Sequence, residues 1–295
     1  MEMPSSLRVG INLTTIETLP IYLAAKEPAC RDVTLAAGKL PALVAREVHV
    51  ATHAESQALG FSVANPDIRV ILTVAECSYR IVGRRSAGIA NASDLRGKRI
   101  ATIAYTSAHY YLVKVLRTAG VSEDQVSVID MAIEDMIPAL LRGELDAVSI
   151  WEPCANDAAE ALGTDAVLFQ DAALYRERLN LNALAETLDD PHKRAAIVAF
   201  VRHIVRMAEQ CRARPSDVKP FIAARLGLTE GKVANVWDQF TFPGCIPSDL
   251  VEVMSEEEQW LAQSQGRAAR TRHQIAGLID ASVWQDALAT TEPAL

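Results

Sequence analysis

Thr106-Ser107-Ala108-His109 sits between an apolar run, KRIATIAY (98–105), and an amphipathic segment, Thr106 to Ala119. A chain passing from strand to helix here leaves the first helical N–H groups unpaired, and the helix dipole favours an anion beside them. The chemistry is an oxyanion site for a small ligand. The same residues also make an ordinary cap, with Thr106 or Ser107 at the N-cap. Three further loops bring hydroxyl, imidazole or carboxylate groups to expected strand ends: Leu13-Thr14-Thr15, Thr52-His53-Ala54-Glu55 and Glu76-Cys77-Ser78-Tyr79. In a parallel sheet such loops face one crevice. Trp151 lies in DMIPALLRGELDAVSIWEP (135–153), after the short apolar run Leu145, Ala147, Val148, Ile150 and before Pro153, which ends the strand. It is a ligand platform or a core aromatic.

Other constellations are weaker. Cys77 or Cys154 with His53 or His109 as base would form a thiol nucleophile, against the alternative of inert thiols. His49 and His53 lie along a strand, where four residues span ~13 Å, too far for one ion. The five cysteines are dispersed without a CxxC pair, neither a disulfide framework nor a zinc site. No GxGxxG follows a strand, and no Walker loop, HExxH or GxSxG occurs, so neither a metal nor a cofactor is expected.

Composition narrows the class. Of 295 residues, 50% are hydrophobic and 22% charged, as in a globular chain. The net charge of −8 argues against a nucleic-acid surface. No apolar run approaches the ~20 residues of a membrane span. MEMPSSLRVG shows neither a basic nor an apolar leader region, which implies a cytosolic protein or a leader already removed.

The positioning elements alternate. LRVGINL (7–13), VTLAAG (33–38), VHVATHA (48–54), IRVILTVAE (68–76) and YRIVGRR (79–85) read as strands, with helices over 17–26, 40–47 and 55–63. Strands over 98–105, 125–131, 145–150 and 166–171 follow, interleaved with helices over 106–119, 136–141 and 155–162. Beyond about residue 180 only helices are expected, over 191–212, 215–226, 229–240 and 247–265. Two similar βα units imply two lobes with a cleft between them.

These residues resemble the periplasmic solute-binding proteins of ABC importers for sulfonates, taurine and nitrate. The resemblance runs through VGINLTTIETLPIYLAAKE, ATHAESQAL, DLRGKRIATIAYTSAHYYLVKVLRTAG and DMIPALLRGELDAVSIWEP, covering most of residues 7–180. It implies an α/β, two-lobed type II binding-protein fold with mostly parallel sheets, two crossover strands and a helical C-terminal part. The implied lobes are 5–82 plus 180–285, and 83–179, with the ligand cleft between them. Ligand contacts are implied at Thr14, Thr15, His53, Glu55, Cys77, Ser78, Thr106, Ser107, His109 and Trp151. The implied function is capture of a small organic anion, sulfonate-like, by hinge closure, with Trp151 on the organic part and His53 and His109 adding charge when protonated. The implied partner is an ABC permease of the inner membrane. The chain would be a periplasmic monomer that is no enzyme and binds no nucleic acid. Two departures stand out: the leader is missing, and Glu27 to Asp32 replaces the bulkier turn usual there. Relatives of the fold include a sulfinate desulfinase with a Cys nucleophile and thiamin-pyrimidine synthases whose cysteine cluster is missing here. A cytosolic enzyme with a cleft Cys, for which Cys30 lies nearest the first loop, and a cytosolic sensor are the alternatives.

Overall fold

Apolar runs dominate the first strands, and they build a sheet buried on both faces. The computed structural model describes residues 6–289, so the leader reading of residues 1–5 and the lobe start at residue 5 lie outside the described residues. The strands are β1 (Leu7–Ile11), β2 (Val33–Ala37), β3 (Val50–Ala54), β4 (Ile68–Cys77), β5 (Arg80–Arg84), β6 (Arg99–Thr102), β7 (Ser127–Asp130), β8 (Ala147–Ile150), β9 (Ala166–Phe169), β10 (Glu177–Leu184) and β11 (Phe240–Thr241). They form two sheets, ordered β11-β4-β10-β3-β1-β2 and β7-β6-β8-β5-β9.

The described residues divide into two compact units. The first comprises residues up to Glu76, Arg178–Val233 and those from Thr241 on; the second comprises Cys77–Glu177 and Ala234–Phe240. The chain passes between them four times: inside β4 after Glu76, inside β10 after Glu177, after Val233, and inside β11 after Phe240. Each sheet has the same plan. In the first, β1 pairs in parallel with β2 and β3, and β10 runs antiparallel to β3. In the second, β6 pairs in parallel with β7 and β8, and β5 runs antiparallel to β8 and β9. Both sheets are therefore mixed and not strictly parallel: β10 in the first and β5 in the second run against their neighbours.

In the first unit the helix Pro191–Ala213 starts on Asp190, whose carboxylate accepts the His192 and Lys193 amides at 2.9 and 3.1 Å, with Pro191 in the first turn. Its buried residues Ile197, Phe200, Val201, Ile204, Ala208 and Cys211 recur at helical spacing. Among the described residues no helix is long and apolar enough to cross a membrane.

The C-terminal part is not helix only. β10 is a strand with all eight residues buried, four of them the polar Glu177, Arg178, Asn180 and Asn182. Its interior polar groups find partners, as buried polar groups must. Thr73 donates to Asn180 Oδ1 at 2.7 Å, and Asn182 Nδ2 donates to the Ala51 carbonyl at 3.1 Å. The expected 229–240 helix stops at Val236 and gives way to a 3₁₀ turn and β11. Two short helices, Arg272–Ala276 and Ser282–Ala289, were not expected.

Candidate functional site

In the first unit, β2, β1 and β3 lie side by side and parallel, so their carboxyl ends share one side of the sheet. After β1, Thr14 is exposed, and its amide and hydroxyl both donate to Asn12 Oδ1, at 3.2 and 2.9 Å. Thr15 is buried and opens the 3₁₀ turn Ile16–Thr18 without a side-chain cap. That turn, followed by the helix Leu19–Ala25, replaces the single expected helix from Glu17. Glu17 is 5% exposed, and its Oε2 has no hydrogen-bond partner. Burial pushes its carboxyl up, opposed by its own amide, the Thr15 hydroxyl and the Lys39 charge. Lys39 follows β2, immediately before the helix Leu40–Val44. His53 ends β3, where burial and then the Lys39 charge push it down to about 3. At neutral pH it is therefore the uncharged imidazole, and a charge-assisted role for His53 requires strongly acidic solution. Its Nδ1 accepts the Ala54 amide at 3.0 Å, and His49 Nδ1 accepts the Arg8 amide at 2.9 Å.

Glu55 is fully buried and accepts the Arg178 amide at 2.8 Å, joining the start of the helix Glu55–Ala64 to β10. This is a structural tie. Glu55→Ala is expected to leave the Arg178 amide without that acceptor and to lower stability by roughly 1.5–3 kcal/mol. A urea titration with an unchanged midpoint would contradict it.

In the second unit, β6, β7 and β8 are each followed by a helix: Ser107–Thr118, Ile133–Leu141 and Cys154–Leu162. Thr106 is the N-cap by position, but its hydroxyl donates to the Ile103 carbonyl at 2.7 Å and does not cap. The expected side-chain cap by Thr106 is therefore absent. Ser107 is buried in the first helical position. Before it, Tyr105 has φ 58° with a half-exposed ring, a strained conformation for a residue with a side chain. Its neighbours fix it: Tyr105 N–H donates to His109 Nδ1 at 3.3 Å, and Ala104 N–H donates to Asp130 Oδ1 at 2.9 Å. His109 Nε2 lies 2.9 Å from Glu123 Oε1. His109 thus ties the loop to Glu123 through its two ring nitrogens.

Cys77 is buried, with Sγ 3.3 Å from the Ser78 carbonyl; Ser78 donates its amide to Gln239 at 2.9 Å and accepts from Arg176 at 3.0 Å. Trp151 is half-buried against the core of Val82, Ala101, Met136, Leu140 and Leu145. Beside it, Glu152 is fully buried, 3.1 Å from Arg80 Nε, and accepts the Asn156 amide at 3.0 Å. The peptide from Glu152 to Pro153 is cis. Three of the five thiols are held in the protonated form. Burial pushes Cys30 up to about 11 and Cys211 up to about 12, and raises Cys245. Among the described residues no group of three or more His, Cys, Asp or Glu side chains could hold a metal ion.

Thus the first unit brings Thr14, Thr15, His53 and Glu55 to one end of its sheet, and the second places Thr106, Ser107, His109 and Trp151 at strand ends of its own. Sequence reasoning missed Glu17, Lys39, Tyr105, Glu123, Asp130 and the Arg80–Glu152 pair. A lone carboxylate two residues beyond Thr15 was the available signal for the first.

Two mixed sheets of matching strand order, each with helices leaving the carboxyl ends of its parallel strands, constitute the fold of periplasmic binding proteins. The periplasmic aliphatic sulphonate binding protein SsuA of Escherichia coli has this fold, at 17% identity and a TM-score of 0.77 over 92% of this chain and 91% of that one. So does the desulfurization enzyme DSZB, at 13% identity and a TM-score of 0.68 over 97% and 99%. The sequence model of the family described as NMT1/THI5 like matches residues 36–218, more than half the chain. The chain belongs to the NMT1/THI5-like family. Over 68 residues it is 34% identical to the taurine-binding periplasmic protein of Escherichia coli (strain K12), a stretch that is 23% of this chain and 21% of that relative's length.

Proposed function

We propose that the chain is a solute-binding protein that captures a small organic anion, sulfonate-like, in the periplasm and delivers it to the permease of an ABC importer. The observation that carries this reading is the uncapped helix start at Ser107. Its first turn follows a strained loop at the end of β6, and Thr106 directs its hydroxyl backward to Ile103. A helix start of this kind favours an oxyanion through its dipole and backbone donors. The sulfonate and taurine binders among the similar proteins support the choice of anion. Ligand binding biases an equilibrium between open and closed arrangements of the two units, with Trp151 on the organic part. The raised Cys30 thiol disfavours the alternative in which that cysteine is a nucleophile.

A thermal-shift titration with taurine, alkanesulfonates and nitrate tests this. A ligand at a hundredfold excess over its Kd adds about 2.7 kcal/mol. At roughly 2–4 °C per kcal/mol the expected rise in Tm is about 5–10 °C. No rise with any of these anions refutes the proposal.

A further inference from the structure

A cavity of about 400 Å³ opens on the first unit beside the start of β4. Ala185, just after β10, donates its amide to the Asp67 carbonyl at 2.8 Å, and Thr73 reaches Asn180 at 2.7 Å. β4 therefore runs against β10 and along β3. Its start lies at the opposite end of the sheet from Thr14, Thr15 and His53, which follow or end parallel strands.

The cavity has a cationic wall. Arg69, Arg267 and Arg270 line it, and no Asp or Glu is among its lining residues. Arg267 and Arg270 share one fully buried carboxylate, that of Glu258. Arg69 has no ion pair with a described residue. Its Nη1 donates to the Pro66 and Ile68 carbonyls at 2.7 and 2.9 Å, which fixes the guanidinium and leaves Nε and Nη2 without an acceptor. Three guanidinium groups against one carboxylate leave two positive charges here, in a chain whose net charge is −8. The other wall is apolar: Val63, 48% exposed, with Pro66 and Leu278. Both walls are built into the fold. Arg270 donates to Ser62 Oγ at 2.8 Å, and the Val70 amide donates to the Leu278 carbonyl at 2.7 Å.

A cavity of this size, apolar with a few convergent polar groups, suits a small molecule. Gathered charges of one sign repel, and a doubly charged anion offsets two of them. Guanidinium forks match phosphate oxygens in pairs. We propose that this cavity is a second binding site, separate from the strand-end site, and that it takes a small organic phosphate monoester. The phosphate dianion meets Arg69, with Arg267 and Arg270 adding charge, and the apolar group lies against Val63 and Leu278.

Isothermal titration calorimetry on the full chain tests this with phenyl phosphate, inorganic phosphate and benzoate. The last two keep the dianion or the ring but not both. Phenyl phosphate is expected to bind at least tenfold more tightly than either, and Arg69→Gln to weaken it at least tenfold. The response of Tm to sulfonates is expected to be the same in Arg69→Gln as in the unaltered protein. No binding of phenyl phosphate, or an affinity unchanged in Arg69→Gln, overturns the proposal. Equal binding of benzoate or inorganic phosphate overturns the phosphate monoester as ligand. Loss of a sulfonate response together with phenyl phosphate binding overturns the separation of the two sites. Should Arg69→Gln fail to fold, Val63→Asp, at an exposed position, sets a carboxylate in the cavity and is expected to weaken phenyl phosphate by the same factor; an unchanged affinity overturns the proposal.

Discussion

Glu258→Gln is expected to cost about 3–5 kcal/mol, the range for removing one partner of a buried ion pair. Glu258 is fully buried on the helix Leu250–Ser264 and holds two guanidinium groups at once. Arg267 donates at 2.5 and 3.0 Å; Arg270 donates its backbone amide at 2.9 Å and its guanidinium at 3.1 and 2.9 Å. Arg270 also donates to Ser62 Oγ and the Leu59 carbonyl, both at 2.8 Å, so the cluster fastens this helix to Glu55–Ala64. An amide in place of the carboxylate turns an NH₂ toward donors and leaves two cations without their counter-charge. The midpoint of urea unfolding reads the loss; a shift worth under 1 kcal/mol would contradict it. Burial alone would raise the Glu258 carboxyl, but hydrogen bonds from Arg267 and Arg270 outweigh it and hold it at about 2, below its ordinary 4.5. Because the folded value is depressed, the stabilisation is fully present above about pH 4.5 and is lost as pH falls toward 2. Glu258→Gln should remove that acid-dependent part of the stability curve.

The second large effect lies in the backbone beneath the site. Gly10 sits in β1 between β2 and β3, and a Cβ there would lie 2.3 Å from the Gly38 carbonyl oxygen and 3.1 Å from Val48. No side-chain rotation relieves a clash with a carbonyl of the main chain, so β1 and the end of β2 must separate. Overpacking of this kind costs about 3 kcal/mol, at the upper end of its usual range. Gly38 itself has φ 132°, a conformation that keeps the turn before Lys39 in place. Gly10→Ala therefore moves the Thr14–Glu17 loop away from Lys39. The expected result is an earlier urea midpoint together with an anion affinity at least tenfold weaker by calorimetry. A variant of normal stability and affinity would show that the two strands tolerate the wider spacing.

Much of the architecture was legible because its signals are local. The apolar run of β4 could only be a covered strand, and Asp190-Pro191 announces a helix whose buried positions then recur at the right spacing. β10 was not read as a strand although Arg178 to Ala183 alternates polar and apolar. Its polar residues are buried, and Thr73, Ala51 and Glu55, distant in sequence, supply partners. The site shows the same division. Placing Thr106 and Ser107 at a strand-to-helix junction needed only local pattern. That the Thr106 hydroxyl turns back to Ile103, and that His109 braces Tyr105 and meets Glu123, are matters of rotamer and tertiary position, to which spacing is blind. Lys39 and Glu17 were hidden for a related reason. Neither belongs to a motif, and only the side-by-side pairing of β1 and β2 brings the segments that carry them to one end of the sheet.

The order β11-β4-β10-β3-β1-β2 also fixes a sequence of events during synthesis. Both neighbours of β4 lie far downstream, β10 beginning at Glu177 and β11 at Phe240. At about 5–20 residues per second, the ribosome needs roughly 5–20 s to supply β10 after β4 has been made. Throughout that interval ten residues of apolar strand have neither edge covered, while β5 to β9 can already assemble their own sheet. The nascent chain therefore carries an apolar strand with two open edges while residues 77–177 are made, the kind of exposed edge that a holding chaperone protects.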